Sequence, residues 1–185
     1  MPTTDFQKII DKYYPENSRR RDIYMRHCEA VAGLALSLNQ RLVSPLDPAE
    51  VEAAAMLHDI GIVMTDAADM DCHGSLPYIA HGIAGADILM AEGLSETMAH
   101  ICERHTGSGL TLDEIETGNL PLPLDRAYMP ETTLERLICY ADKFYSKSGN
   151  MEQKTIEQVR RSMARHGDAP LARFEALAAT FGLPE

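Results

Sequence analysis

The chain lacks tryptophan, has no Cys-x-x-Cys pair and contains no hydrophobic run of the length that spans a membrane. Its four cysteines are widely scattered, which argues against a zinc cage or a disulfide-stabilised scaffold and indicates reduced thiols. The first residues include no apolar segment typical of a secretory signal. We therefore expect a cytoplasmic protein that has no membrane partner.

Basic residues are also scarce, since 17 Lys and Arg stand against 28 Asp and Glu and give a net charge of −11. Such a surface repels nucleic acid backbones, so we expect no nucleic acid partner. A phosphorylated substrate must then be received locally, by metal ions or a few basic side chains.

The apolar residues repeat with the period of a helix, and no segment alternates as a strand does. The sequence predicts an all-α protein of one domain, residues 1–185, with a core at about 19–147. Two C-terminal helices, Met151–Arg165 and Leu171–Phe181, are expected to pack on this core within residues 151–182. The segment Ile62–Pro77 lacks periodicity and predicts a loop that rims or covers a site.

The segment Ala53–Gly61 ends in an adjacent imidazole and carboxylate. His58 falls on the apolar stripe of its helix, and Asp59 follows about 100° further round. No Lys or Arg lies within two turns of Asp59, although a buried carboxylate needs positive charge nearby. The pair is therefore a candidate metal site, and the alternative is a core histidine paired with a helix-terminal aspartate.

Four further metal-ligating side chains fall on buried stripes of other predicted helices, namely His27, His81, His105 and Asp142. Helical phase separates His105, which is predicted to point inward, from His100, which shares an outer face with Glu103 and Arg104.

Two more histidines receive other roles. His73 is predicted to lie exposed in a loop. His166 also fits a buried stripe, but its place before Gly167 favours a helix-terminal role over metal binding.

The ordered set of histidines and aspartates resembles the HD-domain superfamily of metal-dependent phosphohydrolases, and His58-Asp59-Ile60-Gly61 resembles its HDIG form. The stretches Arg104–Gly109 and Tyr128–Glu135 are similar to an uncharacterised HDIG branch. The resemblance extends over Arg19–Lys147 and implies an HD-type helical bundle.

The resemblance also implies a role for each matching residue. One ion would be held by His27, His58, Asp59 and Asp142, and Asp59 would bridge to a second ion held by His81 and His105. The mixed donors suit iron or manganese first, with zinc, cobalt or nickel as alternatives. The implied reaction is hydrolysis of a phosphoester or phosphoanhydride bond in a nucleotide or other small phosphorylated substrate, with the metal pair activating water and Asp59 as a catalytic residue.

One departure concerns phosphate recognition. Many HDIG proteins carry a basic residue just after the glycine, whereas this chain has Ile62, Val63 and Met64. The expected substitutes are Arg104 and Lys143, as catalytic residues, and Arg126. Ordinary salt bridges are the alternative role for each.

Two other functions stay open. Some HD proteins with the same six ligands are mixed-valence di-iron oxygenases, and the ligands alone do not separate the two reactions. A metal-dependent binding or sensory module is the third possibility. The sequence leaves the substrate and the oligomeric state open.

Overall fold

The computed structural model describes residues 5–147 and 152–184, and within them the chain is almost entirely helical. The all-α prediction is confirmed. The α-helices of the described residues are α1 Phe6–Tyr13, α2 Arg19–Gln40, α3 Pro48–Leu57, α4 His81–Ala91, α5 Glu96–Arg104, α6 Leu112–Thr117, α7 Thr133–Asp142, α8 Ile156–Ala164 and α9 Asp168–Phe181.

Side chains that cap backbone N–H groups set most helix starts. Ser18, Asp47, Ser95 and Thr132 accept such bonds at the starts of α2, α3, α5 and α7. The predicted start of α8 near Met151 is wrong. Residues 152–155 are not helical, and a capping box between Thr155 and Gln158 begins the helix at Ile156; Met151 itself lies outside the described residues.

The segment between α3 and α4 is more ordered than the predicted loop. A 3₁₀ helix, Ile60–Met64, leads into strand β1, Asp66–Ala67, which pairs antiparallel with β2, Cys72–His73. Two further 3₁₀ turns, Ala68–Met70 and Tyr78–Ala80, complete it. The expectation of no strand is wrong for these two pairs of residues, because strands of two residues are too short to show an alternating pattern.

The core forms where α2 packs against α3 and α7, and α4 packs against α5. Tyr24 anchors α2, since its ring stacks on Tyr14 and its hydroxyl donates to the Met56 carbonyl at 2.6 Å. Helix α9 contacts α7 through aromatic rings, with Phe174 and Phe181 both against Tyr140. These contacts hold α2, α3, α5 and α7 around one interior point.

Among residues 5–147 and 152–184, no helix combines the length and the apolar character needed to span a membrane.

Candidate metal centre

The structure brings the six predicted ligand side chains together in the interior. Each is at most 5% exposed. Helix ends supply most of them: His58 and Asp59 follow α3, His81 begins α4, His105 follows α5, Asp142 ends α7, and His27 comes from the middle of α2.

In a first group of ligands, two imidazoles contact one carboxylate oxygen from each of two aspartates. The Nε2 atoms of His27 and His58 both lie 3.2 Å from Asp59 Oδ2, and they lie 3.1 and 3.5 Å from Asp142 Oδ1. Two imidazole nitrogens and two carboxylate oxygens thus face a common point, as a four-ligand metal site requires.

A second group gathers on the other oxygen of Asp59. Its Oδ1 lies 3.2 Å from His105 Nε2 and 3.6 Å from His81 Nε2. The two oxygens of this one carboxylate therefore face two different sets of nitrogen donors.

Backbone carbonyls orient three of the histidines. The Nδ1 atoms of His58, His81 and His105 each lie 2.7 Å from a carbonyl oxygen three residues earlier in the chain. Because Nδ1 then carries the proton, each Nε2 presents its lone pair to the centre.

The electrostatics of the second group fit a cation. His81 Nε2 and His105 Nε2 lie 3.1 Å apart. Burial, helped by the neighbouring His105, lowers the pKa of His81 to about 3, and burial also lowers the pKa of His105. Two neutral rings with facing lone pairs repel one another unless a cation lies between them.

Several polar atoms of the cluster have no hydrogen-bond partner although they are fully buried. These are Nε2 of His27 and His58, both oxygens of Asp59, and Asp142 Oδ1. Buried polar atoms normally have partners, so this concentration of unpaired acceptors at one point fits a divalent metal site.

Two glycines allow the backbone to close around the centre. A Cβ on Gly61 would lie 2.1 Å from the His81 carbonyl oxygen and 2.2 Å from the Gly85 nitrogen. A Cβ on Gly82 would lie 2.7 Å from the Cys102 carbonyl oxygen. The segment after Asp59 and helices α4 and α5 thus approach more closely than any side chain at these positions would permit.

Lys147 lies beside the cluster, and the sequence did not identify it. Its Nζ lies 3.0 Å from Asp59 Oδ2 and 3.7 Å from Asp142 Oδ1. Burial alone would raise the pKa of Asp59, but the adjacent His58 and the ammonium group of Lys147 outweigh it and hold that pKa well below its usual value.

A cleft of about 390 Å³ reaches the cluster at Asp142. Three ammonium groups line it, and we call it the lysine cleft after Lys143, Lys147 and Lys154. Lys143 Nζ lies 2.7 Å from Asp142 Oδ2 and donates to the His105 carbonyl at 3.0 Å. Lys143 therefore lies beside the cluster, and its role toward a substrate stays a prediction.

A second cavity, of about 400 Å³, lies beneath the β1–β2 hairpin and shares Tyr78 and Lys147 with the lysine cleft. Residues 66–70 line it. The segment predicted to rim a site does border the approach to the cluster.

Arg104 does not lie where the sequence placed it. Its side chain is 8% exposed, and Nη1 donates to Glu131 at 2.9 Å and to Glu135 at 3.1 Å. Helical phase assigned it to the outer face of α5, but the segment before α7 covers that face. Arg104 therefore has the alternative role of a salt bridge, which joins α5 to Glu131 and Glu135.

Arg126 likewise belongs to an ion pair away from the cleft. Its guanidinium lies 3.0 Å from Glu103 and 3.4 Å from Asp87. Neither Arg126 nor Arg104 lines the lysine cleft.

The other histidines lie outside the cluster. The side chain of His73 is 69% exposed, His166 is exposed and His100 is half-buried on α5. Helical phase therefore separated His105 from His100 correctly, although Glu103 is buried and not on the outer face as expected.

In a comparison with protein families, the model of the HD domain family aligns with residues 24–146. These bounds include all six cluster side chains.

Curated relatives include proteins with a longer chain. A tRNA (cytidine(56)-2'-O)-methyltransferase of Picrophilus torridus is 35% identical over 125 residues, which are 68% of this chain and 32% of that protein. One of the same name from Thermoplasma volcanium is 28% identical over 158 residues, 85% of this chain and 41% of that protein. A protein of Methanocaldococcus jannaschii described as uncharacterised is 36% identical over 121 residues, 64% of this chain and 63% of its own length. The chain thus spans about a third to two-thirds of these relatives.

Among solved structures, the HD domain of the L. monocytogenes phosphodiesterase PgpH has the same fold. The TM-score is 0.52 at 15% identity, over 96% of this chain and 97% of that chain. The same domain in complex with cyclic-di-AMP matches with a TM-score of 0.52 at 17% identity, over 97% of both chains.

Proposed function

The chain belongs to the HD domain family, and we propose that it is a phosphohydrolase that uses two divalent metal ions. Its reaction would be hydrolysis of a phosphoester or phosphoanhydride bond in a nucleotide or other small phosphorylated compound. The observation that carries this proposal is the position of the Asp59 carboxylate. Its two buried oxygens face two separate sets of imidazole nitrogens.

The donor set supports two ions that share one carboxylate. His27, His58, Asp59 and Asp142 would hold the first, and Asp59, His81 and His105 the second. Nitrogen and carboxylate donors together suit iron or manganese, with zinc, cobalt or nickel as alternatives. When bound, two such ions would supply an activated water nucleophile and stabilise the charge that develops on a phosphoryl group.

The residues of the lysine cleft would bind and orient the substrate. Lys143 and Lys147 border the cluster at Asp142, so a phosphate that reached the centre would meet both ammonium groups. The cleft volume of about 390 Å³ falls in the range of small-molecule sites. Asp59 and Asp142 keep the two lysines close to the reacting group through their charge.

The comparisons support a nucleotide as the class of ligand, but they do not identify one substrate. A solved HD domain of the same fold binds a nucleotide, cyclic-di-AMP. We do not extend methyl transfer to this chain. The chain spans only 32% and 41% of the two methyltransferases, and its buried imidazoles and carboxylates are donors suited to metal-assisted hydrolysis.

The test is hydrolysis of a panel of nucleotides and phosphorylated sugars under anaerobic conditions, with the protein loaded with manganese or cobalt and the products separated by chromatography. The proposal predicts turnover of at least one substrate, and its loss in Asp59→Asn. An enzyme that acts only with iron and dioxygen would be an oxygenase and would overturn the proposal. Metal binding without turnover of any compound would favour the sensory module.

A further inference from the structure

The lysine cleft continues into a second basic cavity that the reaction at the cluster does not need. We call this cavity the basic rim. It shares Ser146, Lys154 and Ser162 with the cleft and is otherwise lined by Gln158, Arg161 and Arg165. Its volume is about 480 Å³.

The charge along this path contrasts with that of the whole protein, whose net charge is −11. Among residues 5–147 and 152–184, five cations line the cleft and the rim, namely Lys143, Lys147, Lys154, Arg161 and Arg165. In the part of the chain that the structure describes, Asp142 is the one carboxylate lining either cavity, and it belongs to the cluster. A path of one sign on an acidic protein attracts anions to a particular place.

Helix α8 builds the rim from one of its faces. Gln158, Arg161, Ser162 and Arg165 fall at i, i+3, i+4 and i+7, so their side chains project in one direction. The neighbouring Val159 and Met163 are buried, and both line the lysine cleft. The position of α8 is therefore fixed by packing, and the two arginines extend from it.

The neighbouring arginine shows what an ordinary salt bridge looks like on this helix. Arg160 turns to α9, where Nε lies 2.7 Å from Glu175 Oε1 and Nη2 lies 3.0 Å from Oε2. Within residues 5–147 and 152–184, by contrast, no carboxylate pairs with Arg161 or Arg165. Both guanidinium groups remain available to a ligand.

We propose that the basic rim binds a second phosphate group of the substrate, at a distance from the phosphate that reacts at the cluster. The proposal rests on the proposed function, since it assigns the phosphate that reacts to the same cluster. The substrate class is then a compound with at least two phosphate groups, either a polyphosphate chain or a short phosphodiester-linked nucleotide. A nucleoside monophosphate would fill the cleft and leave the rim empty.

The test is calorimetric titration of the manganese-loaded protein with three probes. One has no bond to hydrolyse, and the other two resist hydrolysis. The three probes are inorganic phosphate, a methylene-bridged triphosphate, and a 5'-phosphorylated dinucleotide with a phosphorothioate linkage. We expect the double substitution Arg161→Ala with Arg165→Ala to weaken binding of at least one of the two larger probes by about tenfold, as loss of charge-assisted hydrogen bonds implies. Binding of inorganic phosphate should not change.

The double substitution should weaken binding of one larger probe more than the other. That probe identifies whether the second phosphate belongs to a polyphosphate chain or to a phosphodiester-linked nucleotide. Arg160→Ala is the matched control, since it removes the same charge from the same helix and should leave all three affinities unchanged. Replacement of both rim arginines by lysine should restore most of the affinity. Equal binding of both larger probes by wild type and the double variant would overturn the proposal.

Because the titration requires no turnover, it separates this proposal from the proposed function. A protein that hydrolysed none of the compounds would refute the hydrolase and still give a clear result for the rim.

Discussion

Lys147 Nζ lies 3.0 Å from Asp59 Oδ2, although the two residues lie far apart in the chain. The same ammonium group lines both the lysine cleft and the cavity beneath the hairpin, and its side chain is 17% exposed. Lys147 thus stands between the buried cluster and the space from which a substrate would arrive.

Replacement of this lysine should affect substrate binding more than metal binding. We expect Lys147→Met to raise KM for a phosphorylated substrate by about tenfold, because one charge-assisted hydrogen bond is lost. The metal content should stay at the wild-type level, since an ammonium group has no lone pair to give a metal ion. Metal analysis together with steady-state kinetics tests this, and loss of metal in the variant would contradict the assignment to the substrate.

Asp59→Asn should remove most of the bound metal and the activity while the helical fold persists. The amide has the same shape but lacks the negative charge that both groups of donors share. Circular dichroism should match wild type in the same preparation in which metal analysis finds the loss. A folded variant with wild-type metal content would contradict the central role of Asp59.

The two groups of donors should be separable by substitution. We expect His81→Ala and His105→Ala each to lower the bound metal from about two ions toward one, since they belong to the group on Asp59 Oδ1.

His100→Ala and His166→Ala are the controls for this experiment, because neither residue lies in the cluster. Their metal content should equal that of wild type. If His100→Ala lost an ion, the arrangement of α5 described above would be wrong.

Gly61→Ala should destabilise the protein strongly. The new Cβ would lie 2.1 Å from the His81 carbonyl oxygen and 2.2 Å from the Gly85 nitrogen, and both are backbone atoms that move only with α4. We expect a loss of about 3 kcal/mol or more in the free energy of unfolding, measured by urea denaturation.

Gly33→Ala is the matched control for that substitution. Gly33 lies on the exposed side of α2, and a Cβ there would meet no atom within 4 Å. Since alanine favours a helix over glycine, the variant should gain about 1 kcal/mol. Similar effects of the two substitutions would refute the close approach at Gly61.

Periodicity made the helices and the buried cluster predictable from the sequence. His27, His81, His105 and Asp142 each lie on a stripe of apolar residues, and such stripes face the core of a helical protein. Local signals also mark helix starts, since Asp47, Ser95 and Thr132 cap the first turns of α3, α5 and α7.

What the sequence missed depends on contacts between distant segments. Lys147 follows α7 in irregular chain, where no period indicates which way a side chain points. Arg104 was assigned to solvent by helical phase, but Glu131 and Glu135 from the segment before and within α7 close over it. Arg161 and Arg165 carry no signal of their own, since an exposed helix face with two arginines is ordinary until a cavity lies beside it.

The number and proximity of the bound ions test the central claim most directly. Wild-type protein purified without a tag should bind about two manganese ions, and its electron paramagnetic resonance spectrum should show exchange coupling through the shared carboxylate of Asp59. The coupling should disappear in His105→Ala while one ion remains. A single ion in the wild type, or two ions without coupling, would contradict a metal pair shared by Asp59.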